Sequence, residues 1–173
     1  MSTKDKFSNQ LQSNNSFLAK TVFDLHRLIQ AQSDELYLEK NMGFPVAVSS
    51  TLLLMSQQRK VSTMEVASAL SITHQLVSQR IKILLKLGLI EGSADKNDKR
   101  KTLYVLTPKG QQKTQVLNLY CLDAANAFSD LSDEVGVDLQ KVLNAAINAL
   151  QKKPFGKRFP SNGPSYDEQA SRL

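Results

Sequence analysis

Apolar side chains recur at helical spacing near the start of the chain, at Phe17, Leu18, Val22, Leu25, Leu28, Ile29 and Leu36. Steps of three, four and seven put them on one stripe, which predicts a helix from about Asn15 to Glu39. The turn "NMGFP" stops it, and Pro45 suits the first turn of a second helix reaching about Gln57. Val46, Val48, Leu52, Leu53, Leu54 and Met55 crowd that second helix with apolar groups, so it reads as mostly buried. Ser62 followed by Glu65 is a capping box and predicts a short helix from about Thr63 to Leu70. After the break at Ser71-Ile72, Thr73 can cap another helix, reaching Leu87 and ended by Gly88 in a left-handed conformation.

The pattern then changes period. Leu89 to Ala94 and Lys101 to Leu106 read as two strands joined through Asp95–Arg100. Thr107-Pro108 starts a further helix, expected to end near Phe128, with Val116, Leu117, Tyr120, Ala124, Ala127 and Phe128 on one side. Ser132 is the expected cap of the last helix, where Val135, Leu139, Val142, Leu143, Ala146, Ile147 and Leu150 recur at three- and four-residue steps. From Gln151 the chain carries three of its five prolines, a composition that opposes a core element and predicts a basic flexible tail. A short helical end is expected near Tyr166–Leu173, and residues 1–13 read as disordered.

Composition narrows the class. With 173 residues, 41% of them hydrophobic, the chain can build one core of ordinary size. No apolar run is long enough to span a membrane, and the polar N-terminus lacks a secretory signal's apolar stretch. A single cysteine excludes an internal disulfide framework and fits a reducing, cytoplasmic setting. The formal charge is +6, and its distribution says more than its size. Residues 60–110 hold nine basic against four acidic side chains, whereas residues 111–150 hold two against five. Such asymmetry points to a polyanionic partner.

The central order of two short helices and a hairpin is that of a helix-turn-helix with a wing. A helix entering the major groove must present hydrogen-bonding groups and no repelling carboxylates. With Val77 placed at 0° on the 73–87 helix, Ile81, Leu84 and Leu85 fall within about 80° of it and define a core side. Gln75, Ser78, Gln79, Lys82 and Lys86 gather opposite, at roughly 100–200°. No acidic residue occurs anywhere from Ser71 to Ile90. The hairpin tip offers Lys96, Lys99, Arg100 and Lys101 for the DNA backbone or the narrow minor groove. Asp95 and Asp98, unsuited to meeting phosphates, read as local partners that hold the loop and aim Arg100.

The motifs "DKNDKR" at 95–100, "LTPKG" at 106–110 and "LLKLGLIEG" at 84–92 resemble the multiple-antibiotic-resistance regulator (MarR) family of winged-helix repressors. The resemblance covers about residues 15–150. It implies a mainly α fold (α+β by strict count), a winged helix-turn-helix with a two-stranded wing flanked by N- and C-terminal dimerisation helices. The expected organisation is residues 1–13 disordered, 14–151 the winged-helix domain, and 152–173 the tail. Within the domain, 44–110 form the DNA-binding lobe and 14–40 and 108–151 the dimerisation helices. Carried across by position, the resemblance makes Thr73, His74, Gln75, Ser78 and Gln79 groove-facing and Arg100 the wing arginine; Lys82, Lys96, Lys99 and Lys101 complete the expected DNA-binding set. Gln79, Lys82 and Ile83 depart from the family's usual residues, and Arg80 stands where an apolar one is usual.

The implied function is that of a homodimeric, sequence-specific repressor of transcription, bound to a near-palindromic double-stranded operator and released by a small molecule, commonly an aromatic acid or phenol in that family. The competing reading is a winged-helix protein-interaction or architectural DNA-binding module without a defined operator. Phe23, His26, Phe44 and Met55 lie near the expected junction of lobe and dimer helices, although no ligand contact is assigned to them. His74 can contact DNA or respond to pH. His26 reads as a packing residue, Cys121 as an inert buried thiol, and Arg80 as a paired structural arginine at about −60° on the wheel. No nucleophile elbow, phosphate loop or zinc spacing occurs, so neither catalysis, cofactor nor metal is expected.

Overall fold

The computed structural model describes residues 14–96, 98–159 and 170. Its elements are helix α1 (Leu18–Glu39), helix α2 (Ser49–Gln57), strand β1 (Val61–Ser62), helix α3 (Thr63–Leu70), helix α4 (His74–Lys86), strands β2 (Ile90–Ala94) and β3 (Thr102–Leu106), and helices α5 (Pro108–Val135) and α6 (Leu139–Lys152). Short 3-10 turns at Asn15–Phe17 and Val46–Val48 lead into α1 and α2, and a third covers Phe155–Arg158. The chain divides into two compact units at Cys121/Leu122, with α5 contributing to both. The expectations for residues 1–13 and, apart from Ala170, for Tyr166–Leu173 lie outside the described residues.

The first unit holds the core. Met42, Val48, Leu52, Val61, Val66, Val77, Leu84, Leu89 and Leu117 are almost wholly removed from water, so α2, β1, α3, α4 and the start of α5 share one apolar interior. Tyr37 closes it at the end of α1, packed edge-to-face on Phe44 at 5.6 Å and on Tyr120 at 4.8 Å. Its hydroxyl shares a 2.9 Å hydrogen bond with Ser49 Oγ, which satisfies the polar tip. The turn after α1 uses two left-handed residues, Asn41 at φ 50° and Gly43 at φ 76°. Lys113 Nζ donates to the Asn41 carbonyl, tying that turn to α5.

The two-stranded wing, β2 paired with β3, belongs to a three-stranded sheet in the order β1-β3-β2, antiparallel throughout. Val61 and Ser62 pair with Tyr104 and Leu103. Two residues show no alternation of their own, and it is their position beside β3 that makes them a strand. The expected capping box is present: Ser62 Oγ accepts from Glu65 N, and the Glu65 carboxylate takes the Ser62 backbone N–H at 2.7 Å. Thr73 caps α4, and Gly88 follows it at φ 65°.

In the second unit the expected boundaries move. α5 runs seven residues beyond Phe128, to Val135. Ser132, expected to cap the last helix, lies inside α5, where its Oγ donates to the Phe128 carbonyl and also accepts, at 3.4 Å, from Leu139 N at the start of α6. Gly136, at φ 72°, turns the chain, and Asp138 caps α6 by accepting from Lys141 N. Asp138 forms the stronger cap because its carboxylate sits in front of the helix with extended backbone, whereas Ser132 already has helical neighbours on both sides. The segment after Gln151, expected to form a basic flexible tail without a core element, opens with a 3-10 turn that buries no residue, in which Phe155 and Phe159 meet edge-to-face at 5.2 Å and Arg158 donates to the Ala149 carbonyl.

Candidate nucleic-acid interface

Helix α4 separates two chemistries by its rotation. Val77, Ile81 and Leu84 enter the core, while His74, Gln75, Ser78, Gln79, Lys82 and Lys86 are exposed. Leu85, placed on the core side by the wheel, is instead 41% exposed. Thr73 spends its side-chain oxygen on the cap, accepting from Leu76 N at 3.3 Å, and stays exposed at the helix entrance. Two features fix the far end of α4. Lys109 Nζ donates to the Leu87 carbonyl and Thr107 Oγ1 to the Gly88 carbonyl, so α5 holds the last carbonyls of α4 and the turn after it.

The hairpin is locked from within. Asp95 N donates to the Lys101 carbonyl and Lys101 N to the Asp98 carbonyl, closing the loop at 2.8 and 2.9 Å. Asp98 Oδ1 accepts from Arg100 N at 3.0 Å and from Arg100 Nε at 3.3 Å. The expected division of labour is therefore realised: the aspartates shape the loop and orient Arg100, whose side chain remains 93% exposed. Lys96 and Lys99 are exposed beside it. Lys101 is turned elsewhere. Its Nζ lies 3.6 Å from Glu65, linking the base of the wing to the capping box of α3. Hydrogen bonds from Ser62, with Lys101 adding its charge, hold the Glu65 carboxyl below its ordinary range.

Sequence reasoning undervalued two groups. Arg80 leaves α4 toward α2, where its Nη1 donates to Ser50 Oγ at 3.1 Å and to Thr51 Oγ1 at 3.4 Å. Desolvation lowers its pKa, and its partners are hydroxyls rather than the carboxylate a paired arginine suggests. The second is Gly110 of "LTPKG", which is buried where α5 passes the start of β2. A Cβ there would stand 2.0 Å from the Leu89 carbonyl oxygen, so the motif's glycine is an approach of helix to strand. Cys121 is half-buried, and burial pushes its thiol up, away from the reactive thiolate.

A polar cleft of about 580 Å³ opens beside the lobe, lined among others by Met55, Gln57, Arg59, Leu106, Gln111 and Asn118. Of the four residues expected near a ligand junction it takes in Met55 alone. Phe44 lies in the core, and Phe23 and His26 are exposed on α1. Among the described residues, no cluster of His, Cys, Asp or Glu could hold a metal ion, and no helix is long and apolar enough to cross a membrane.

Residues 42–101 match the model of the MarR family. That segment is similar to the MarR-family winged helix. The MarR match spans α2 through the wing tip, which are the elements that position the α4 face and Arg100. Regulators of the MarR family are DNA-binding transcription regulators. Solved structures share the fold well beyond the matched segment. A MarR protein from Peptoclostridium difficile is 19% identical, with 80% of this chain and 88% of that one covered at a TM-score of 0.64. The transcriptional regulator BldR from Sulfolobus solfataricus is 21% identical over 88% of this chain and 99% of that one, at 0.61. The adhesin competence repressor AdcR from Streptococcus pyogenes is 22% identical over 79% and 96%, at 0.55. No curated protein sequence matches the chain.

Proposed function

We propose that this chain is a homodimeric, sequence-specific transcription regulator of the MarR type, acting in the cytoplasm as a repressor that a small molecule releases. One observation carries the DNA reading: an exposed α4 face of His74, Gln75, Ser78, Gln79 and Lys82 without a carboxylate, beside a wing whose Asp98 orients an exposed Arg100. Amide and hydroxyl groups on such a face match base edges, and the cations match the phosphates that flank them. Lys96 and Lys99 extend the backbone contact, and Lys101 supports the wing's base through Glu65.

Uncovered apolar surface supports the dimer. On α1, Leu18, Val22, Phe23 and Leu28 are each 47–63% exposed, and α6 contains no buried residue although Val142, Leu143, Ile147 and Leu150 recur along it. Fully burying one such side chain contributes about 1.5–3 kcal/mol, so a second copy covering α1, α5 and α6 repays the lost freedom of association. The cleft beside the lobe suits an effector carrying a carboxylate on an aromatic ring, with Arg59 and the carboxamides of Gln57, Gln111 and Asn118 for its polar end and Met55 and Leu106 for its ring. Such a ligand regulates only if it binds the DNA-competent spacing and another spacing unequally.

The test is enrichment of genomic fragments by the purified protein, followed by binding to the enriched duplexes across salt. A dimer that selects a near-palindrome with half-sites about 34–36 Å apart is expected. A monomer without preference for any duplex overturns the reading. Binding with a steep salt slope but no sequence preference replaces it with the architectural one.

A further inference from the structure

Arg80 poses a question that packing leaves open. Its guanidinium sits half-buried between α4 and the first turn of α2, held among the described residues by the neutral hydroxyls of Ser50 and Thr51. Its Nε is fully shielded and has no hydrogen-bond partner among the described residues, and no described carboxylate lies within salt-bridge distance of it. A desolvated charge without an opposing one is unfavourable, and an unsatisfied buried donor calls for a cause.

The surroundings sharpen the question. From Asn41 to Ile90 the sequence contains one acidic residue, Glu65, and that carboxylate is engaged by Ser62 and Lys101. The first turn of α2 likewise brings no acidic side chain, so nothing there balances Arg80. The position is one where an apolar residue would pack without any such cost. Ser50, by contrast with buried Thr51, faces solvent, so the Arg80–Ser50 pair lies at the surface where α2 meets the recognition helix.

We propose that Arg80, with Ser50, takes a DNA backbone phosphate at the edge of the groove that α4 enters. This rests on the DNA-binding reading above and deepens it, adding a contact that positions the helix without reading a base. The chemistry fits in three respects. A guanidinium fork matches phosphate oxygens, and a serine hydroxyl is a common second donor to them. Arg80 projects about 100° or more around the helix from Gln79 and Ser78, toward α2, which is where a flanking backbone passes rather than a base edge. An arriving phosphate also supplies the negative charge that no described carboxylate brings to Arg80.

The experiment uses the full-length protein and a duplex enriched from genomic DNA, with Arg80→Met, Arg80→Lys and Ser50→Ala variants. Wild-type affinity is measured across salt first; if the protein binds no duplex, the DNA reading itself fails. Given binding, Arg80→Met should reduce the slope of log K against log salt by about 0.9 per half-site while leaving the preferred sequence unchanged. Arg80→Lys should keep most of the slope. Single methylphosphonate substitutions along the duplex then identify the contact: one position per half-site should weaken wild-type protein and leave Arg80→Met indifferent. An unchanged slope with every methylphosphonate acting equally on both proteins makes Arg80 a brace alone and overturns the proposal. A changed base preference makes it a base reader and overturns it too. If Arg80→Met fails to fold, the same methylphosphonate comparison with Ser50→Ala decides, with loss of sensitivity at one position expected.

Discussion

Gly110→Ala sets helix propensity against packing, and the two predict opposite signs. Alanine in place of a helical glycine ordinarily stabilises by about 0.5–1 kcal/mol. At Gly110, however, the added methyl would stand 2.0 Å from the Leu89 carbonyl oxygen, 3.0 Å from its carbon and 3.3 Å from Leu106 Cδ2. An ordinary carbon–oxygen contact needs about 3.3 Å, so the start of α5 must retreat from β2 by roughly 1.3 Å. That retreat pulls on the Thr107 N to Leu89 O bond at 3.1 Å and the Thr107 Oγ1 to Gly88 O bond at 2.7 Å. Overpacking of this kind costs about 1–3 kcal/mol, and one weakened hydrogen bond adds about 1 kcal/mol. After subtracting the propensity gain, a net loss of about 2 kcal/mol is expected. Urea unfolding followed by far-UV circular dichroism, at fixed protein concentration, should show a midpoint lowered by about 1 M. Gly156 is the control: a Cβ there meets nothing within 4 Å, so Gly156→Ala should stay within about 0.5 kcal/mol of wild type. A neutral or stabilising Gly110→Ala would refute the claim that this glycine exists for the close approach of helix to strand.

The remaining expectations concern the interface, the cap and the dimer. Arg100→Ala should weaken DNA binding and shallow its salt dependence while leaving the oligomeric state alone; anisotropy with a labelled duplex, checked by sedimentation, measures both. Ser62→Ala removes the hydroxyl that caps α3 and orients Glu65, and should cost about 1 kcal/mol in denaturant unfolding. The same cap makes a pH prediction. Because the Glu65 carboxyl is held below its unfolded value, its stabilisation is present above that value and is lost as pH falls through the folded one. Stability measured from pH 6 down to pH 3 should therefore fall less in Glu65→Gln than in wild type. Ile147→Glu places a charge on the uncovered face of α6 and should convert a dimer to monomer in sedimentation; an unchanged dimer would move the interface off that helix.

Local chemistry made much of this protein legible. The Ser62–Glu65 box, the Thr73 cap, Gly88 and the Thr107-Pro108 start are signals carried within a few residues, and α3, α4 and the start of α5 follow them closely. The face of α4 and the aspartates that shape the wing were readable for the same reason, since helical rotation and turn hydrogen bonds act over one or two turns of chain. β1 was not readable, because two residues become a strand only when β3 arrives beside them. Nor was the true cap of α6: Ser132 and Asp138 both qualify by residue type, and the extent of α5 chose between them. The partners of Arg80, some 30 residues away in sequence, and the closeness of Gly110 to Leu89 were decided by packing alone. Sequence determined where α3, α4 and α5 start and which side of α4 is polar, because those energies are local. Tertiary structure decided which groups meet across elements, because such contacts depend on distances that no spacing along the chain encodes.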